Sequence, residues 1–324
     1  VFRADLPMIE GSYSWSTQSH AGFDTTVVLV DTDEGLTGVG ECCPLGPTYL
    51  PAYAHGVRAG IAQLAPHLIN EDPTQLDRIN SLMDAQLKGH PYVKSAIDMA
   101  CWDILGKVAD LPVYVLLGGK LQEKVTLYKV VSRADPNAMA ERIPEYRNQG
   151  FRQFQVKVGE DPSTDIIRIH RVAEKMEAGE VLNADANTGW KQHQALQVAH
   201  AIADIGKQTG IRVTFEQPCL SYHECLAVRQ HTNLPFVLDE CMDSISALLQ
   251  AQHDHAMDMI NLKISRFGGI TRARQVRDLC VSLGLPMNVE DSWGGEITTA
   301  AIAHLAHSTP PAFQFQSSAF HEYS

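Results

Sequence analysis

Lys157 lies in 153-QFQVKVGED-161, where Phe154, Val156 and Val158 alternate with Gln155 and Lys157. A period of two marks a strand with one apolar face. In 258-DMINLKIS-265 the same parity sets Ile260, Leu262 and Ile264 on one side and Lys263 on the other. Between these lysines, three further apolar runs end in acids. The run 183-NADANTGW-190 offers Asp185 and Asn187, 215-FEQP-218 offers Glu216, and 237-VLDE-240 offers Asp239 and Glu240. After the second lysine, 289-VEDSWGG-295 offers Glu290, Asp291 and Trp293.

Any one of these acids could simply cap the helix that follows it. Three in consecutive units, converging on one point, repel unless protonated or bound to a metal. A hard divalent cation resolves the conflict. Carboxylate-only ligation with room for water and substrate favours Mg2+. A lone lysine on a strand ordinarily snorkels to the surface, but Lys157 is expected to face inward with Gln155. A desolvated lysine near a cation has a lowered pKa, which suits a general base. Mg2+ holding a substrate carboxylate would acidify the α-proton by stabilising an enediolate. Two lysines on opposite faces would then allow racemisation or epimerisation. With a hydroxyl on the β-carbon, the same intermediate allows dehydration.

The elements that must position these groups read as two regions. Residues 1–115 are expected to form an α+β capping domain. It starts with antiparallel strands around the turn Asp33-Glu34-Gly35 and continues with helices, the clearest over 92–109. Asp98 and Asp103 on that helix read as caps or ion-pair partners. Residues 116–324 repeat a strand–helix unit. Strands are expected at 125–131, 154–158, 181–185, 213–216, 236–239, 259–263, 287–291 and 313–315, with starts roughly 22 to 32 residues apart, the length of a β/α unit. Eight such strands predict a TIM-type barrel, whose catalytic groups stand at the C-terminal strand ends. The stretch 16-STQSHAGFD-24 reads as a mobile loop, with His20 solvated on it. The chain stops soon after the eighth strand, so a final helix or packing tail is expected to be absent. It begins at Val1 without Met, so residues are expected to precede it.

The chain has 324 residues and a formal net charge of −12, without a basic run. That balance argues against a nucleic-acid partner, since phosphate neutralisation needs clustered Lys and Arg. No signal peptide or apolar stretch of about 18 residues is present, which argues against a membrane span. The seven cysteines are odd in number and form no CxxC. They read as reduced core thiols, and the expected setting is the cytoplasm.

The set K…D-A-N…E-Q-P…D-E…K-x-S-x-x-G-G resembles the mandelate racemase and muconate lactonizing enzyme branch of the enolase superfamily. The resemblance spans essentially the whole chain. It implies an N-terminal capping domain and a modified (β/α)7β barrel. It further implies Asp185, Glu216 and Asp239 as ligands of one Mg2+ per subunit, with Lys157 and Lys263 as the acid/base pair. Asn187 and Glu240 are expected to support those ligands. Homo-oligomers are common in the branch, so a homo-oligomer is implied. One departure is Gln155, because the branch usually carries Lys-x-Lys on this strand. The phrases 41-ECCPLGPTYLPAYAHGVRAG-60, 216-EQPCLSYHE-224 and 287-MNVEDSWGGEITTAAIAHLA-306 are similar to the group acting on proline derivatives. Members of that group dehydrate cis-3-hydroxy-L-proline or epimerise hydroxyproline betaines at C2, and the phrasing is closer to the dehydratases.

A cationic imino-acid substrate fits the remaining candidates. Trp293 could take a ring ammonium by cation–π contact, and Asp291 or Glu290 could offset its charge. Tyr49, Tyr53 and Trp15 are candidates to close over the substrate. The rivals are a proline-type epimerase, an acid-sugar dehydratase or other muconate-lactonizing-like enzyme, a Schiff-base aldolase and a non-catalytic binding barrel. Acid-sugar dehydratases usually carry histidine where this chain has 289-VEDSW-293. Dipeptide epimerases usually carry an acidic pair where it has 313-FQFQSS-318. An aldolase needs one lysine and no divalent metal.

Overall fold

In the computed structural model, which describes residues 1–324, the first strands are β1 (Phe2–Pro7), β2 (Tyr13–Trp15), β3 (Gln18–His20), β4 (Gly22–Asp31) and β5 (Thr37–Cys42). β1, β4 and β5 form an antiparallel sheet in that order. The β4–β5 connection is the turn read from the sequence. Gly35 takes φ +80° there, and its N–H reaches Thr32 O at 3.1 Å.

Three helices follow, α1 (Ala54–Leu68), α2 (Leu76–Gln86) and α3 (Pro91–Ala109). Pro91 opens α3, where a missing N–H costs nothing. Val57, Ile61 and Leu64 of α1, Ile79 and Met83 of α2, and Val93, Ala96, Ile97 and Cys101 of α3 bury their apolar faces together with Val28 and Cys42. β5 lies close on α3 because it presents glycines there. A Cβ on Gly40 would stand 1.9 Å from Ala96 O, and one on Gly38 would stand 2.2 Å from Ala100 O. Asp98 is fully buried and accepts hydrogen bonds from Asn80 Nδ2 and from the N–H and Oγ1 of Thr271. It thereby caps the helix Ile270–Leu283. Asp103 pairs with Lys107 at 2.7 Å.

The second set of strands is β6 (Lys129–Val131), β7 (Gln153–Lys157), β8 (Val181–Asp185), β9 (Arg212–Glu216), β10 (Phe236–Leu238), β11 (Met259–Lys263), β12 (Met287–Glu290) and β13 (Gln314–Ser317). They form one eight-stranded parallel sheet whose spatial order follows the chain order. Helices such as Pro162–Ala173, with Asp161 as its cap, fill the connections. This is the β/α barrel topology expected, with β8 and β11 on the expected bounds. Beyond β13 the Ser317 N–H donates to Thr126 O, just ahead of β6, at 2.9 Å.

By packing density the chain divides into two compact units. One holds Val1–Gly11, Gly22–Thr126 and Leu262–Ser324; the other holds Ser12–Ala21 and Leu127–Asn261.

Two expectations are corrected. Residues 16–24 are not a loop. β2 and β3 form a hairpin with Tyr13 opposite His20 and Trp15 opposite Gln18, and Gly22 already starts β4. Trp15, buried, stacks on His20 with ring centroids 5.1 Å apart. The turn residue Ser16 donates its N–H to Val158 O at 3.1 Å and its Oγ to Gly159 O at 3.1 Å. Those partners lie far off in sequence, so the polar composition alone read as loop. A packing tail is also present after β13. Phe320–Glu322 forms a short 3-10 turn, and Tyr323 O accepts the Ile9 N–H at 2.8 Å.

Two glycines shape the loops after β7 and β8. Gly159 has φ +101°, and a Cβ there would stand 2.1 Å from Ala186 O. A Cβ on Gly189 would stand 2.1 Å from Gly159 O. None of the seven cysteines is in a disulfide, and six of them are buried. No helix is long and apolar enough to cross a membrane.

Candidate active site at the strand ends

Parallel register builds the first half of the site. Lys157 of β7 lies opposite Asp185 of β8, and Asp185 lies opposite Glu216 of β9. Glu216 lies opposite Val237 of β10, so Asp239 stands two residues further along on the same face. Asp185, Glu216 and Asp239 are each 0% exposed. One layer below them, Gln155 lies opposite Asn183, and Asn183 opposite Thr214.

Glu216 is gripped by side-chain amides. Gln155 Nε2 donates to it at 3.2 Å, Asn261 Nδ2 at 2.7 Å, and Asn183 Nδ2 at closer range. Asn183 in turn accepts from Thr214 Oγ1 at 2.7 Å. Gln155 thus holds a carboxylate, where a lysine would have placed a second charge. Lys157 Nζ donates to Asp185 Oδ2 at 2.5 Å and lies 5.9 Å from the Tyr13 ring centroid. Burial works against the Lys157 charge, but the neighbouring carboxylates of Asp185 and Glu216 and the hydrogen bond to Asp185 outweigh it. The ammonium is therefore held above its usual range. The lowered pKa expected for this lysine belongs to a site with a cation beside it, and the chain alone does the opposite. Asn187 N donates to Asp185 Oδ1 at 2.9 Å, and Asn187 Nδ2 donates to Glu240 Oε1 at 3.0 Å. The two supporting residues are thus bonded to each other.

The three carboxylates do not close on one point. No group of three or more His, Cys, Asp or Glu side chains is near enough to hold a metal ion. The donor chemistry nevertheless fits a hard divalent cation. Every donor is a carboxylate oxygen on a fully buried side chain at the end of a neighbouring strand. Burying several such charges costs several kcal/mol each unless a positive partner meets them.

The other unit carries Lys263 at the end of β11. Its Nζ donates to Tyr49 Oη at 2.9 Å and lies 3.5 Å from Glu290 Oε1. Arg266 Nη2, also buried, donates to the same phenol oxygen at 2.8 Å. Asp291 accepts from the N–H and Oγ of Ser265 and from the N–H of Ser292. Burial outweighs those bonds and raises its carboxyl to about 6. Trp293 is packed among Phe23, Phe320 and Tyr323, and its Nε1 donates to Ser324 Oγ at 3.2 Å. Tyr53 is 49% exposed and sits at the start of α1 with its ring against Gly56.

The structure therefore sets two bonded pairs, Lys157 with Asp185 and Gln155 with Glu216, side by side on β7, β8 and β9. Lys263 and Tyr49 form another, and Trp293, Tyr53 and Trp15 are engaged elsewhere. Sequence reading passed over Asn183, Asn261 and Arg266. Parity would have found the first two: each lies two residues before a residue already chosen, Asp185 and Lys263, and so on the same strand face.

Residues 4–118 match the sequence model of the mandelate racemase / muconate lactonizing enzyme N-terminal domain. Residues 138–323 match that of the enolase C-terminal domain-like family. The chain belongs to the mandelate racemase/muconate lactonizing enzyme branch of the enolase superfamily. It is 51% identical over 324 residues to a cis-3-hydroxy-L-proline dehydratase of Roseibium aggregatum, covering 100% of this chain and 87% of that one. It is 30% identical over 293 residues to an N-succinyl-L-Arg/Lys racemase of Bacillus cereus, covering 90% and 78%. A crystal structure of an enolase superfamily member from Roseovarius nubinhibens, complexed with magnesium, matches with a TM-score of 0.90 at 42% identity, covering 99% of this chain and 86% of that one. Relatives in the branch are dehydratases, racemases, epimerases and cycloisomerases, and this chain is an enzyme of the lyase or isomerase kind.

Proposed function

We propose that the chain is a Mg2+-dependent dehydratase of cis-3-hydroxy-L-proline or a close proline-type carboxylate. The observation that carries this reading is the 51% identity, over all 324 residues, to a dehydratase of that name. Asp185, Glu216 and Asp239 are the proposed ligands of one Mg2+. When bound, the cation supplies positive charge beside the substrate carboxylate, which eases loss of the α-proton. Gln155, Asn183 and Asn261 hold Glu216 in place by their amide N–H groups.

Lys157 and Lys263 are the proposed acid and base. One takes the α-proton: an N–H bond forms, the Cα–H bond breaks, and the electron pair stays on the substrate. The pair then forms a C2–C3 double bond as the C3 hydroxyl leaves with a proton as water. The product is a pyrroline-2-carboxylate. Among the proposed substrate contacts, Trp293, Asp291, Gln155, Tyr49, Tyr53 and Trp15, Tyr49 has the best support, because its hydroxyl already meets Lys263.

Incubation of cis-3-hydroxy-L-proline in D2O, with and without Mg2+ and followed by NMR, tests the reading. Loss of the hydroxyl only with Mg2+ is expected. Turnover that survives EDTA would point instead to an aldolase-like lysine. No exchange and no product from cis-3-hydroxy-L-proline, proline or proline betaines would discard the proline assignment. A second reading is 2-epimerisation, favoured by the two lysines and by the racemase among the relatives. Its signature is α-deuterium uptake with the hydroxyl retained.

A further inference from the structure

Gln217 stands between the proposed ligand Glu216 and Pro218, fully buried, with φ +31°. A non-glycine residue in that region persists only where its surroundings force it, and such residues gather at functional sites. Two of its neighbours share the feature: Asn187 at φ +42° and Thr188 at φ +66°. Every polar atom of Gln217 is used. Its N–H donates to Val237 O at 3.0 Å, and its own O accepts from Thr188 N at 2.9 Å. Its Oε1 accepts the Asp239 N–H at 2.8 Å and the Cys241 thiol at 3.4 Å. Its Nε2 donates to Cys219 O at 3.0 Å and to Cys225 Sγ at 3.5 Å.

Those bonds reach the three segments that carry the proposed metal ligands. Thr188 lies in the turn that follows Asp185, closed by Gly189 N on Ala186 O at 2.9 Å, where Asn187 N also holds the Asp185 carboxylate. Glu216 is the covalent neighbour of Gln217. Asp239 lies one residue beyond the end of β10 at Leu238, and a side chain, not a strand, receives its N–H. The direction of the Asp239 carboxylate therefore depends on the Gln217 amide.

We infer that Gln217 is a positioning residue that sets the spacing of Asp185, Glu216 and Asp239 for a divalent cation. The inference rests on the proposed Mg2+ site. Gln217 is fully buried and acts through the backbone of its neighbours. Groups that orient metal ligands from outside commonly change metal affinity by about 10- to 100-fold when removed.

The test is Mg2+ titration by calorimetry of the full chain and of Gln217→Met and Gln217→Gly, with metal-free thermal melts alongside. Both variants are expected to bind Mg2+ about 10- to 100-fold more weakly. Glycine relieves the left-handed backbone but lacks the amide, so it separates the two contributions. Wild-type affinity in either variant, even with a lowered melting temperature, would overturn the inference, because a merely structural role moves the melt and not the affinity. If neither variant folds, hydrogen exchange on the unaltered chain decides. The Asp239 amide is expected to be protected without metal and more so with Mg2+; exchange at the solvent rate would overturn the inference. A wild-type chain that binds no Mg2+ would instead sink the metal reading, and the exchange measurement would still report on Gln217.

Discussion

At the scale of single residues, the two lysines differ in their surroundings. Lys157 faces a carboxylate, and Lys263 faces a phenol shared with a guanidinium. Replacing either by alanine is expected to lower α-deuterium exchange by about 10²- to 10⁴-fold, the usual contribution of a positioned acid or base, with circular dichroism unchanged. Exchange near the wild-type rate in both variants would sink the acid/base assignment. Asp291 makes a separate prediction for stability. Its folded carboxyl is raised from 3.8 to about 6 by burial, so the folded chain holds the proton more tightly than the unfolded chain. That contribution is complete below pH 4 and is lost as the pH rises through 6. The displacement corresponds to about 3 kcal/mol. Urea unfolding at pH 4.5 and pH 7 should show a smaller difference for Asp291→Asn than for the wild type; equal differences would contradict it. The strand-end positions of Lys157, Lys263 and the acids, though not their roles, were legible in sequence because each interrupts an apolar run at a fixed parity. Asn183 and Asn261 share that parity and were passed over for want of a charge, whereas Gln217 follows the strand end and carries no signal until its bonds are seen.

At the scale of elements, the match between sequence and structure follows how local the forces are. α3 was legible over 92–109 because a helix writes its period into its own residues. The β2–β3 hairpin was not, since its turn is polar and its anchors, Ser132, Val158 and Gly159, lie over 100 residues away. The close seat of β5 on α3 was equally silent, because glycine signals freedom as readily as proximity. Gly40→Ala would push a methyl group to within 1.9 Å of Ala96 O. It is expected to destabilise the chain by at least about 2 kcal/mol. A midpoint in urea equal to the wild type would show that β5 can move away from the helix at no cost.

At the scale of the molecule, the fold class was legible from the rhythm of strand and helix, and the family matches agree with it over nearly the whole chain. The division into compact units was not, because the last 63 residues, Leu262–Ser324, group with the N-terminal segments. Cation binding should register on the whole fold. With Mg2+ at about 100 times its dissociation constant, the folded state gains about 2.7 kcal/mol. EDTA should abolish turnover, Mg2+ should restore it, and the melting temperature should follow the metal. A melting temperature indifferent to Mg2+, with turnover intact, would exclude a resident cation.

The glycines at 159 and 189 bear on how such a protein can change over generations. Each lies where any side chain would collide with the other's loop backbone, so the path of the chain behind β7 and β8 is fixed. The side chains that face the site are constrained by their bonding partners and not by a backbone collision. A lineage can exchange glutamine for lysine at 155, or alter the residues around Lys263, while the loops beneath keep their course. Innovation is thereby channelled into side-chain replacement, and descendants acting on different carboxylates can share one backbone.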